Sequence, residues 1–129
     1  FRCEKGIDSG PIYMKRPLSL GGSAQEIIER ASSIIEQMIM ELIGSSRKTL
    51  PQEGTSTYFK RRTPDESEVN WEDSLVSIFD HIRMLDDDYY PRAFIEAGNF
   101  RLTFSNARKE GDEVSAKVII SRKKNHNEG

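Results

Sequence analysis

Cysteine is nearly missing from this chain: Cys3 is the one thiol among 129 residues, so no intrachain disulfide framework exists and a reducing compartment, the cytoplasm, is the expected setting. Long apolar runs are missing as well. No stretch approaches the about 18 consecutive apolar residues of a membrane span, and no signal-like segment opens the chain, which predicts a soluble protein with no membrane partner. Charge of one sign is not in excess: 19 Lys and Arg face 21 Asp and Glu, and a net charge of −2 supplies no global field for a polyanion. Any phosphate site must be local, and nucleic acid is not an expected partner. The Walker loop, the dinucleotide glycine fingerprint and the nucleophile elbow are all absent, and Cys3, His81 and His126 lack ligand spacing, so no metal site is expected.

With 36% apolar and 31% charged residues the chain has the make-up of one small globular domain. It opens on Phe1 rather than Met, and a strand-like segment, Pro11 to Leu20, arrives at once with no earlier partner, which predicts a missing N-terminal part. Ser23-Ala24-Gln25-Glu26 reads as a capping box. Behind it Ile27, Ile28, Ala31, Ile34, Ile35, Met38, Ile39 and Leu42 draw one helical stripe that stops at Gly44. Burying that stripe is worth roughly 10 kcal/mol, so the helix needs another surface, and association into a homo-oligomer is one way to supply it. Met38 and Met40 read as core packing.

From Ser45 to Asn70 periodicity vanishes and a long connecting loop is expected. Asn70 is the predicted cap of a second helix carrying Trp71, Leu75, Ile78, Phe79, Ile82 and Leu85, and Asp86, Asp87 and Asp88 are expected to end it and face water. The period then changes to two. Phe100, Leu102 and Phe104 alternate with polar residues after a Gly98-Asn99 turn, and Val114, Ala116, Val118 and Ile120 alternate after Glu110-Gly111-Asp112, which predicts antiparallel strands. The tail, with its basic triplet Arg122, Lys123 and Lys124, reads as a frayed, solvated end.

Two places hold chemistry. Residues 1 to 64 carry 10 basic and 7 acidic groups, net +3, whereas residues 65 to 129 carry 9 and 14, net −5. The excess of positive charge at Lys60, Arg61 and Arg62, beside Tyr58 and Phe59, suits a phosphate or carboxylate ligand, and equally suits a solvated basic loop. Asp8, in the turn Gly6-Ile7-Asp8-Ser9-Gly10-Pro11, is either a carboxylate brought close to a ligand or an Asx-type turn former.

Taken in order, the turn GIDSGPIYMKRPLSL, the long helix, the loop LPQEGTSTYFKRRTPDESEVNW and the run IFDHIRMLDDDYYPRAFIEAGNFRL resemble the formyltransferase family that uses N10-formyltetrahydrofolate. The pattern is similar to methionyl-tRNA formyltransferases and still more to sugar-nucleotide N-formyltransferases, through Tyr58, Arg61, Arg62, Thr63, Pro64, Asp65 and Trp71. The resemblance covers about residues 1 to 105. It implies a catalytic Asn, His and Asp, of which the Asp is Asp8; a folate-lining stretch of Glu4, Lys5, Gly6, Ile7 and Asp8; and substrate contacts at Tyr58, Arg61 and Arg62. The family's Asn and His belong upstream of Asp8, so the isolated chain is expected to catalyse no measurable transfer.

The fold expected is α/β: the end of a nucleotide-type formyltransferase domain over residues 1–45, a linker over 46–70, and a helix with a small antiparallel subdomain over 71–129. The expected reaction is formyl transfer to the amino group of a nucleotide-linked amino sugar. Methionyl-tRNA formylation is the alternative enzyme, weighed down by the net −5 of residues 65 to 129, and a non-catalytic interaction module is the alternative of another class.

Overall fold

The computed structural model describes residues 1–123, so Lys124, His126 and the rest of the predicted tail lie outside the described residues. Its elements are two α-helices, α1 (Ala24–Ile43) and α2 (Leu75–Met84), a 3-10 turn (Pro64–Ser67), and three strands, β1 (Phe94–Ala97), β2 (Phe100–Glu110) and β3 (Glu113–Arg122). Two compact units result: Phe1–Leu20 with Ile27–Lys60, and Gly21–Glu26 with the chain from Arg61 onward.

Helix α1 forms where the capping box predicts, and from Ile27 on it belongs to the first unit. Ser23 Oγ accepts from the Glu26 N–H at 3.3 Å and Glu26 Oε2 accepts from the Ser23 N–H at 2.7 Å, so two otherwise orphaned donors are met reciprocally. The stripe is only partly covered: Ile27 is buried and Ala31, Ile34, Met38 and Leu42 are half-buried, but Ile28, Ile35 and Ile39 are exposed. Near the C-terminal end of α1, Glu41 takes both oxygens to Arg16 at 2.7 and 2.9 Å and a third contact from Arg47 at 3.1 Å. The expected strand over Pro11 to Leu20 is corrected. Only Ile12 pairs, in an antiparallel bridge with Leu50, because Pro11 and Pro17 cannot donate to a ladder.

The second unit holds the core. Val69, Ile78, Ile82, Leu85 and Ala93 are buried together, with Ile95, Phe104 and Ala107 packed against them, so α2 lies on one face of the sheet. Each such large apolar side chain contributes about 1.5–3 kcal/mol by leaving water. The sheet order is β1-β2-β3, antiparallel throughout, with Ile95 opposite Leu102 and Leu102 opposite Ile120. The hairpins turn at Gly98-Asn99, as expected, and at Gly111-Asp112, within the expected Glu110-Gly111-Asp112, whose Glu110 is the last residue of β2; Gly98 (φ 56°) and Gly111 (φ 55°) take a left-handed position that glycine accepts most cheaply.

Three further expectations are corrected. The long loop is not unstructured to Asn70: Thr63-Pro64-Asp65-Glu66 is a second capping pattern, in which the Glu66 carboxylate accepts from the Thr63 N–H at 2.6 Å, and Val69 donates to the Phe94 carbonyl at 2.8 Å as it enters the core. Asn70 does not cap α2. Its Oδ1 accepts from the Glu72 N–H at 3.1 Å in an Asx turn that leaves Trp71 exposed, while Ser74 Oγ caps α2 by accepting from Ser77 N–H at 3.2 Å. Of the three aspartates only Asp88 faces water. Asp87 is buried and accepts from the Tyr89 N–H at 2.7 Å, and Asp86 accepts at 2.7 Å from the N–H of Asn106, whose φ of 52° marks the β2 bulge.

Candidate functional site

The Asp8 turn begins as a loop that its own chain cannot hold. Asp8 has φ 52°, a left-handed conformation that Asp and Asn tolerate better than other side chains, and its carboxylate is exposed. Gly10 is buried with no room for a side chain, since a Cβ there would collide with the carbonyl oxygen of Arg2. Arg2 N–H donates to the Pro11 carbonyl at 2.8 Å, and from the other flank Gln52 Nε2 donates to the carbonyls of Asp8 and Gly10. Gln52 is a residue that the sequence pattern missed. It lies 44 positions from Asp8, and such a tertiary bond leaves no periodic signature.

Upstream, Glu4 pairs with Arg2 at 2.7 Å, and that hydrogen bond raises the guanidinium above the ordinary arginine value. Lys5 and Gly6 are exposed and Ile7 is 96% exposed. The backbone N–H groups of Glu4, Lys5, Gly6 and Ile7 donate to no other backbone group among the described residues, so this stretch has unspent donors beside an open apolar side chain. A flat heterocycle with amide-like edges, such as a pterin, fits that arrangement.

In the second unit Arg61 and Arg62 line an open groove of about 730 Å³ together with Thr63, Ser67, Tyr89 and Tyr90. Arg62 is anchored by a hydrogen bond from its guanidinium to the Glu66 carbonyl, while the Tyr89 ring is 92% exposed. His81 lies beneath, its Nε2 3.2 Å from the carbonyl oxygen of buried Ser67, which is a packing role rather than a ligand's. Guanidinium groups beside open aromatic rings can hold an anion and stack a planar base at once. Tyr58, also exposed, belongs to the first unit. Tyr89 and Tyr90 escaped the sequence reading because the run Asp86 to Pro91 reads as the end of a helix, although two adjacent aromatics before a proline were a usable signal.

Comparison with known proteins adds what the geometry leaves open. Residues 64–121 match the family model described as "Methionyl-tRNA formyltransferase, C-terminal domain". The methionyl-tRNA formyltransferase of Thermodesulfovibrio yellowstonii is 30% identical over 86 residues, 62% of this chain and 28% of that protein. That of Gluconobacter oxydans is 29% identical over 97 residues, 73% and 31%. The solved structure of a methionyl-tRNA formyltransferase from Clostridium thermocellum is 45% identical with a TM-score of 0.87, covering 94% of this chain and 54% of that one. The chain therefore spans under a third of the length of the curated relatives and about half of the solved chain.

These matches overturn the preference for a nucleotide-linked amino sugar as acceptor, and with it the expectation that nucleic acid is an unlikely partner: the relatives carry the name of the tRNA enzyme. Net charge averages over the whole surface and does not describe a local field, and Arg61 and Arg62 stand together on one groove. Family members of this kind are enzymes that transfer formyl groups, and the chain is similar to the C-terminal portion of methionyl-tRNA formyltransferases.

Proposed function

We propose that the protein formylates the amino group of methionyl-tRNA, with N10-formyltetrahydrofolate as the donor and with Asp8, Glu4 to Ile7, Tyr58, Arg61 and Arg62 as this chain's share of the machinery. The observation that carries the reading is the likeness to the Clostridium thermocellum enzyme, at 45% identity over 94% of the chain. In this reading residues 1–45 are the end of a nucleotide-type α/β catalytic domain, 46–70 link it onward, and 71–129 are a small helix-and-sheet subdomain, all in the cytoplasm.

When bound, the folate would supply the formyl group to the acceptor amine, and tetrahydrofolate would be the leaving group. Asp8 holds a negative charge toward an imidazole encoded outside this chain, and an anion within a few ångströms raises an imidazole's pKa and helps it stabilise a developing oxyanion. The open backbone of Glu4 to Ile7 binds and orients the pterin; within the second unit Arg61 and Arg62 offer phosphate contacts to the acceptor strand, and within the first unit Tyr58 offers an exposed ring for stacking. The test is transfer of labelled formyl to methionyl-tRNA by the full-length protein, wild type and Asp8→Asn. The expected result is product from the wild type and a loss of about 10²-fold or more in the variant. Wild-type rates in Asp8→Asn would remove Asp8 from the chemistry.

A further inference from the structure

We infer that Gln52 is the positioning residue of the Asp8 carboxylate, an inference that rests on the reading of Asp8 as the catalytic acid group. Asp8 sits at φ 52°, in the left-handed region that Asp tolerates but that still costs an L residue free energy, so contacts from outside the turn help to hold it. Gln52 supplies such contacts directly. One side-chain amide nitrogen donates to the carbonyl of Asp8 at 2.6 Å and to the carbonyl of Gly10 at 2.8 Å, spanning Ser9 and closing the turn.

The amide is itself held in place. Ile12 and Leu50 exchange backbone hydrogen bonds at 2.7 and 2.9 Å, and in that antiparallel register Gly10 stands opposite Gln52. The side chain thus continues the pairing where the ladder stops. On the opposite flank Arg2 bonds Pro11 and its carbonyl fills the space beside Gly10, so the turn cannot relax in that direction without disturbing the segment around Arg2. The chemistry calls for an N–H donor: the amide nitrogen meets two acceptors, whereas a carboxylate at position 52 would turn only acceptor oxygens toward both carbonyls. Since this region is mostly exposed, loss of the amide leaves water to satisfy both carbonyls, and what changes is the aim of the Asp8 side chain.

The experiment uses the full-length protein and measures kcat and acceptor KM across pH, with thermal midpoints, for Gln52→Glu, Gln52→Met, Gln52→Lys, Asp8→Asn and Asp8→Asn combined with Gln52→Glu. Gln52→Glu and Gln52→Met are expected to lower kcat about tenfold or more while acceptor KM stays within about twofold, because a small misplacement of a reacting group is costly. Gln52→Lys keeps an N–H donor within reach and is expected to retain a kcat within about threefold of wild type. In the Asp8→Asn background the second change should cost nothing more, since an absent carboxylate cannot be mis-aimed. A wild-type kcat in Gln52→Glu with Asp8→Asn crippled overturns the positioning role alone. Multiplicative losses in the double variant, or a loss common to all three Gln52 variants with fallen thermal midpoints, also overturn it. Wild-type rates in Asp8→Asn overturn the reading of Asp8 beneath it.

Discussion

Arg61 and Arg62 sit side by side in sequence, yet their surroundings ask different things of them. Arg62 is bonded to the Glu66 carbonyl and so helps to build the 3-10 turn, whereas Arg61 has no ion-pair partner among the described residues and lines the groove. Arg61→Ala should therefore weaken tRNA binding without unfolding the subdomain. For a lost phosphate contact the slope of log affinity against log salt should become shallower by about 0.7–0.9. Filter-binding or fluorescence titrations at several salt concentrations check this, and an unchanged slope would take Arg61 off the nucleic-acid surface. At this scale Asp8, Arg61 and Arg62 drew attention in the sequence because each stands in a compact local motif, and their roles rest on the proposed function. Gln52, Tyr89 and Tyr90 were not, since their partners come from distant chain or from a turn that sequence reads as punctuation.

Among the elements, those with a local signature were read best. The Ser23 capping box, the α1 stripe and both glycine-led hairpin turns follow from short-range chemistry that acts before tertiary packing. The start of α2 was misread because Asn70 and Ser74 are both good caps, and only packing decides between them: Trp71 stays outside while Ile78 and Ile82 are buried. The Pro11 to Leu20 segment was misread because apolar residues were present but the prolines denied it a ladder.

The sheet carries a pH prediction of its own. Lys123 at 2.7 Å, and then Arg101 at 2.8 Å, hold the Glu96 carboxyl below its ordinary value, and Arg101 also lies over the Phe94 ring. A carboxyl whose folded pKa is lowered stabilises the fold above its unfolded pKa and loses that contribution as pH falls through the folded one. The thermal midpoint of the wild type should therefore exceed that of Glu96→Gln at neutral pH, and the gap should close in acid. A gap that does not change with pH would show that the triad's charge is not what stabilises the hairpin.

For the whole molecule, an averaged quantity concealed a local one. A net charge of −2 spread over 129 residues, and −5 over the second half, pointed away from nucleic acid, while two arginines and two tyrosines gather on a single groove. The family could be read from the order of motifs along the chain, but the acceptor could not, because acceptor choice depends on surface shape and local field that no single motif encodes. The likeness to tRNA enzymes over most of the chain is what favours methionyl-tRNA over the amino sugar. The most direct test gives the full-length protein labelled N10-formyltetrahydrofolate with methionyl-tRNA in one reaction and a nucleotide-linked amino sugar in another. Label is expected on the aminoacyl group of the tRNA and none on the sugar; label on the sugar with none on methionyl-tRNA would contradict methionyl-tRNA as the acceptor.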